Sequence, residues 1–169
     1  MGAPVFLRTM NAVELQQTKV WVYQANRFLS PSEEGFIDQY MRRFIAQWRA
    51  HGLKLQGAYE LKHHLFLIIK LTDEADYATG CSIDQSMKEV MQLEQALGLR
   101  FFDRQRVAYL MDNQVCQCST KEFKELAAQG VVGQHTLVFD NTVTTIPDLA
   151  DKWAKPAHLS WHNMLLPKP

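Results

Sequence analysis

The stretch TGCSIDQS, Thr79 to Ser86, places a glycine, a cysteine and a serine where a loop hands over to a helix. A thiol one residue before a helix start feels the partial positive charge of unpaired N–H groups, which favours the thiolate. Cys81 is therefore the candidate nucleophile, with His51 or His162 as a candidate base. Asp84 stands in the same first turn and opposes a thiolate by its charge. The plainer reading makes Cys81 a small buried thiol closing the loop, with Gly80 supplying an unusual backbone angle. The same helix start could hold an anion on the amides of Cys81, Ser82 and Ile83, with Arg27 assisting. Asp84 opposes that as well, since a first-turn carboxylate is already a partner for the helix dipole.

Cys116 and Cys118 stand two apart, on one face of a predicted strand. A metal site needs further ligands at workable spacing. The six histidines, at 51, 63, 64, 135, 158 and 162, form no such pattern, so no metal site and no cofactor are expected. Arg42, Arg43 and Arg49 share a predicted helix with Glu33, Glu34 and Asp38, which reads as a mixed, solvated face.

The elements that would position these residues follow from local patterning. KVWVYQ, Lys19 to Gln24, is β-branched and aromatic and reads as a strand. Ser30 and Glu33 make a capping box around Pro31, and apolar residues then recur at helical spacing toward Trp48. This helix is expected to end near His51, with Gly52 as its stop and His51 as a dipole partner. Two strands follow, joined by a tight turn around Lys62 to His64; the second is nearly all apolar, as a central strand would be. Ser82 and Gln85 read as a second capping box, with Gly98 ending that helix. A hairpin turning at Asp112–Asn113 closes a β-α-β-β-α-β order, the split βαβ of ferredoxin-like domains. The expected fold is thus α+β. It is a single domain over 1–169, with a ferredoxin-like βαββαβ core at about 18–118 and a C-terminal β-α extension at about 119–169. The extension holds a helix capped by Ser119 and Glu122, a strand in HTLVFD, and a short helix around Pro147 to Ala154. Trp161 and Leu165 in the tail are expected to fold back onto the body.

The chain has 169 residues, 47% of them hydrophobic, enough for a core that needs no metal or disulfide. Eighteen Lys and Arg balance eighteen Asp and Glu. A neutral chain has no bulk attraction for nucleic acid or an anionic membrane. Three cysteines do not make a disulfide framework and fit a reducing compartment. The start, MGAPVFLRTM, lacks the pattern of a signal peptide, and Phe6 stands where myristoylation wants Ser or Thr. The longest apolar run, Leu65 to Ile69, is far too short to span a bilayer. A cytoplasmic location with no membrane partner is expected.

The strings VWVYQANR, QWRAHG, GCSIDQS, FDR, EFKEL, LVFDNTV and SWH, in that order, resemble a family of bacterial proteins of about 160 residues. Members of that family are sometimes labelled ABC transporter ATPase, and the resemblance supplies no catalytic residues. The label implies ATP chemistry that this chain is not equipped for. A phosphate cradle needs G-x-x-x-x-G-K-[ST], and neither that string nor the LSGGQ signature occurs.

The leading expectation is a non-catalytic cytoplasmic domain that binds a small ligand or a protein partner. The alternative is a cysteine-dependent enzyme or redox protein using Cys81. A nucleic-acid-binding ferredoxin-like module ranks third, on charge. The candidate catalytic residues are Cys81, His51 and His162; the candidate ligand-binding residues are Arg27, Ser82 and Asp84.

Overall fold

A computed structural model describes residues 11–72 and 80–168. A short helix, α1 (Ala12–Gln17), is capped by Asn11 and Glu14 and leads into β1 (Thr18–Gln24). The Ser30–Glu33 capping box forms as the sequence predicts and starts α2 (Pro31–Gln47). The helix ends earlier than expected. Trp48 leaves it, and Arg49–Ala50 (β2) turns back to pair with Leu53–Lys54 (β3). His51 and Gly52 are the two turn residues, both at positive φ (50° and 78°). This is the backbone of a tight hairpin turn, so His51 is not a partner of the helix dipole.

The first sheet has the order β1-β5-β4, with β4 (Gln56–Lys62) and β5 (Phe66–Thr72) joined through His63 and His64 at positive φ. All seven residues of β5 are buried, in keeping with its central place. Even Lys70 is buried, its ammonium on the Glu60 carboxylate. One face of the sheet is covered by α2. Tyr59 donates to the Asp38 side chain at 2.6 Å, and Gly57 lies under Trp48 and Ile45. Beside α2 lies α3 (Gly80–Leu97), tied to it by Tyr40 on Glu89 at 2.5 Å and by the Trp48 indole on the Ser82 carbonyl at 3.1 Å.

The second sheet has the order β7-β6-β8-β9, from β6 (Arg106–Met111), β7 (Gln114–Ser119), β8 (Leu137–Phe139) and β9 (Ala154–Pro156). The Asp112–Asn113 turn of the β6–β7 hairpin forms as predicted, at φ 52° and 61°. The Ser119–Glu122 box starts α4 (Thr120–Ala128), and α5 (Ile146–Asp151) carries Pro147 in its first turn. The chain is a mixed α+β structure with antiparallel sheets. The strands expected to form one ferredoxin-like sheet are divided between two among the described residues. The fourth of them, β6, has β7 on one side and β8 on the other, so neither edge is left for β1.

The second half covers the other face of the first sheet. Phe66 of β5 packs on Phe139 and Trp153, with ring centres 5.2 and 4.9 Å apart. A second apolar cluster lies between α4, β6 and the tail, built on Val107, Phe123, Val138 and Leu166. Trp161 and Leu165 pack against it, so the tail folds back as the sequence predicts. Among the described residues no helix is long and apolar enough to cross a membrane.

Candidate functional site

The residues expected to act together at the start of α3 are scattered. Cys81 is exposed, not buried, because Ser82 takes the inward position of that turn. The helix already runs at Gly80, so Ser82 lies inside it and is not its cap; Gly80 itself has no positive φ. The buried stripe is Ser82, Ser86, Val90 and Leu93, which leaves Asp84 and Met91 outside. Arg27 is a fork on Glu33, at 2.9 and 2.7 Å, and it also donates to the Phe28 and Leu97 carbonyls, each at 3.4 Å. Leu97 ends α3, about 25 Å along the axis from Gly80, so Arg27 cannot serve an anion at the helix start. The Arg27 guanidinium and the Ser30 amide hold the Glu33 carboxyl down at about 2. No hydrogen bond joins Cys81 to His51 or His162.

His162 is fully buried. Its ring stacks on Trp161 at 3.8 Å, its Nδ1 meets the Ser160 hydroxyl at 2.7 Å, and its Nε2 has no partner. Burial pushes its pKa down to about 4; nearby Asp140 opposes this and Lys155 reinforces it. The ring is neutral in ordinary conditions and serves as backing for Trp161. Cys116 is half-buried; Cys118 is buried, and burial pushes its thiol up to about 11. Among the described residues no group of His, Cys, Asp and Glu is placed to hold a metal ion.

The structure instead builds a site at the free edge of β1. The Val20 amide bonds the Thr144 carbonyl at 2.8 Å, and the Asn26 amide bonds the Arg100 carbonyl at 2.9 Å. Strand alternation puts the main chains of Val22 and Gln24 on that same side, between the two contacts. Among the described residues no main-chain hydrogen bond reaches them there. A cleft of about 490 Å³ opens at this gap, lined by Tyr23, Gln24, Phe102, Arg104, Arg106 and Trp161 among others. Tyr23 meets Phe102 edge to face at 5.4 Å, and burial pushes the Tyr23 phenol up to about 12, so it stays neutral. Arg106 gives Nε and Nη2 to the Gln117 oxygen, at 3.3 and 3.0 Å. That leaves Nη1 of its fork for other acceptors.

Gln24 is 5% exposed and its Nε2 has no partner. Its orientation is set from behind. The Trp153 indole sits 2.9 Å from Asn141 Oδ1, and Asn141 Nδ2 sits 3.0 Å from Gln24 Oε1. An indole N–H can only donate, so the Asn141 oxygen must face it. The Asn141 amide group then faces Gln24, whose oxygen must accept. The end left over is the Gln24 NH₂, a double donor. Beneath this relay Asp140 takes Lys155 at 2.8 Å and Thr142 at 2.5 Å. Burial alone would raise the Asp140 carboxyl, but these two partners more than offset it and hold it below its usual range.

Sequence reasoning named none of Gln24, Asn141, Trp153 and Arg106 as site residues. Gln24 and Asn141 stand 117 positions apart, and only the packing of the second half on the first sheet brings them together. The available signal was the set of short strings: Gln24 stands in VWVYQANR, Arg104 in FDR, Asn141 in LVFDNTV and Trp161 in SWH. Compared with known protein families, with curated proteins and with solved structures, the chain finds no match.

Proposed function

We propose that the protein is a non-catalytic binding domain that takes a small ligand in the cleft at the β1 edge. The observation that carries this is the cleft itself: about 490 Å³ against the open edge at Val22 and Gln24, walled by Phe102, Arg104, Arg106 and Trp161. The open edge at Val22 and Gln24 supports the same reading. Four of the strings that resemble the bacterial family meet at this cleft, which favours reading it as the feature that family shares. In this view the β1-β5-β4 half is a ferredoxin-like half-sheet whose missing edge strand has become the binding gap. A cytoplasmic location fits the composition. The cysteine reading gains no support, because among the described residues no base is hydrogen-bonded to exposed Cys81.

The test is a fragment screen read by nitrogen-15 NMR on the intact chain. Fragments should shift the main-chain amides of Val22, Gln24 and Phe102. A screen in which no fragment moves those signals up to about 10 mM, a free energy near 3 kcal/mol, would overturn the reading.

A further inference from the structure

We infer that β4 pairs with β4 of a second copy of this chain, antiparallel, about a two-fold axis at Tyr59. This concerns the edge of the first sheet opposite the cleft and does not rest on the cleft. The Leu55 amide points away from β5 and donates to the Trp48 carbonyl at 2.9 Å. Alternation turns the main chains of Gly57, Tyr59 and Leu61 the same way. Among the described residues no main-chain hydrogen bond reaches them on that side. They lie in a half-buried run without proline, and a bare edge of this kind is a template for another strand.

The ends of the bare edge select a second copy of the same strand. Trp48 closes it at Leu55, and at the far end the chain turns away at His63, where φ is 55°. Gly57, Tyr59 and Leu61 remain, with Tyr59 in the middle. With Tyr59 opposite the partner's Tyr59, Gly57 faces the partner's Leu61, and the open N–H and C=O groups of both strands are matched. The second chain then turns away at the partner's His63, beside the point where Trp48 closes the edge. Charge favours the same register. Glu60 faces the partner's Ala58, and Lys62 faces the partner's Gln56. A slip of two residues one way sets Glu60 against the partner's Glu60, and like charges directly opposite destabilise a pair. A slip the other way drives the partner's Leu61 onto Trp48 and sets Lys62 against the partner's Lys54. Shape agrees. A groove of about 700 Å³ runs past Gly57, lined by Ile45, Ala46 and Leu55, and the partner's Leu61 arrives opposite that glycine. Two sheets of order β1-β5-β4 thus join into one, with a cleft at each outer edge.

The experiment is analytical ultracentrifugation of the full chain over a dilution series, with amide hydrogen exchange read by NMR at both ends of it. A dimer is expected that gives way to monomer on dilution. The Gly57, Tyr59 and Leu61 amides should be protected in the dimer and exchange in the monomer. The Ala58 and Glu60 amides, turned toward β5, should be protected in both. Ala58→Glu sets a carboxylate against the partner's Glu60, twice over by symmetry, and should weaken the dimer about tenfold. A chain still monomeric at about 1 mM overturns the inference. So does a dimer in which the Gly57, Tyr59 and Leu61 amides exchange freely, or one that Ala58→Glu leaves unchanged. The measurements on the unaltered chain decide the matter even if the variant fails to fold.

Discussion

His162 makes the stability of this protein depend on acid in a way that can be isolated. The ring is fully buried, stacked on Trp161, and held at about 4 against an ordinary imidazole value of 6.5. Between those two values the unfolded chain takes up a proton that the folded one refuses. Stability is therefore full above about pH 6.5, falls as the pH drops, and levels off below about 4. Each pH unit in that window contributes about 1.4 kcal/mol, so the loss from this one ring comes to about 3 kcal/mol. Carboxylates titrate in the same range and must be cancelled. His162→Phe keeps a flat ring between Trp161 and Phe123 and removes the titrating group. Urea denaturation of both proteins, from about pH 7 to about pH 4, gives the difference in unfolding free energy at each pH. That difference should move in favour of the Phe variant by about 3 kcal/mol on acidification, whatever its offset at neutral pH. A difference that stays flat would show that the folded chain protonates His162 as readily as the unfolded one, and would refute its role as a ring kept neutral behind Trp161.

Gly57→Ala should destabilise by roughly 1–3 kcal/mol, seen as a lower urea midpoint, since overpacking a core costs that much. The new Cβ would stand 2.7 Å from the Trp48 ring, which is fully buried and pinned to the Ser82 carbonyl. Iodoacetamide should modify Cys81 in the folded protein without shifting that midpoint, while buried Cys118 reacts only after unfolding. Mass spectrometry of the peptides separates the two; a loss of stability on Cys81 modification would contradict its exposed position.

Local signals were legible in the sequence and non-local ones were not. Ser30 with Glu33, Ser119 with Glu122, and the Asp112–Asn113 turn each depend on residues within a few positions, and each formed as read. The misreadings came where one local signal serves two structures. A glycine at positive φ ends a helix or completes a hairpin turn, and Gly52 does the second. Ser82 with Gln85 matches a capping box, but the match says nothing of whether the helix has already begun; Thr79, just before it, lies outside the described residues. The fate of β6 could not be read at all, because it turns on competition between β1 and β8 for one edge. The candidate site failed for the same reason: Gln24 is an unremarked polar residue at a strand end until Asn141 and Trp153 are laid against it.

The central strand β5 draws its two neighbours from very different distances along the chain. β4 arrives through a tight turn at His63 and His64, a closure completed in about microseconds. β1 meets β5 with Thr18 against Thr72, 54 residues apart, and must first surrender the entropy of that large loop. β1 is then the late arrival in folding and the early departure when the molecule opens. The cleft exists only once β1 has docked, so any occupant acts on the return journey. It leaves the rate of folding as it was and lengthens the lifetime of the folded chain.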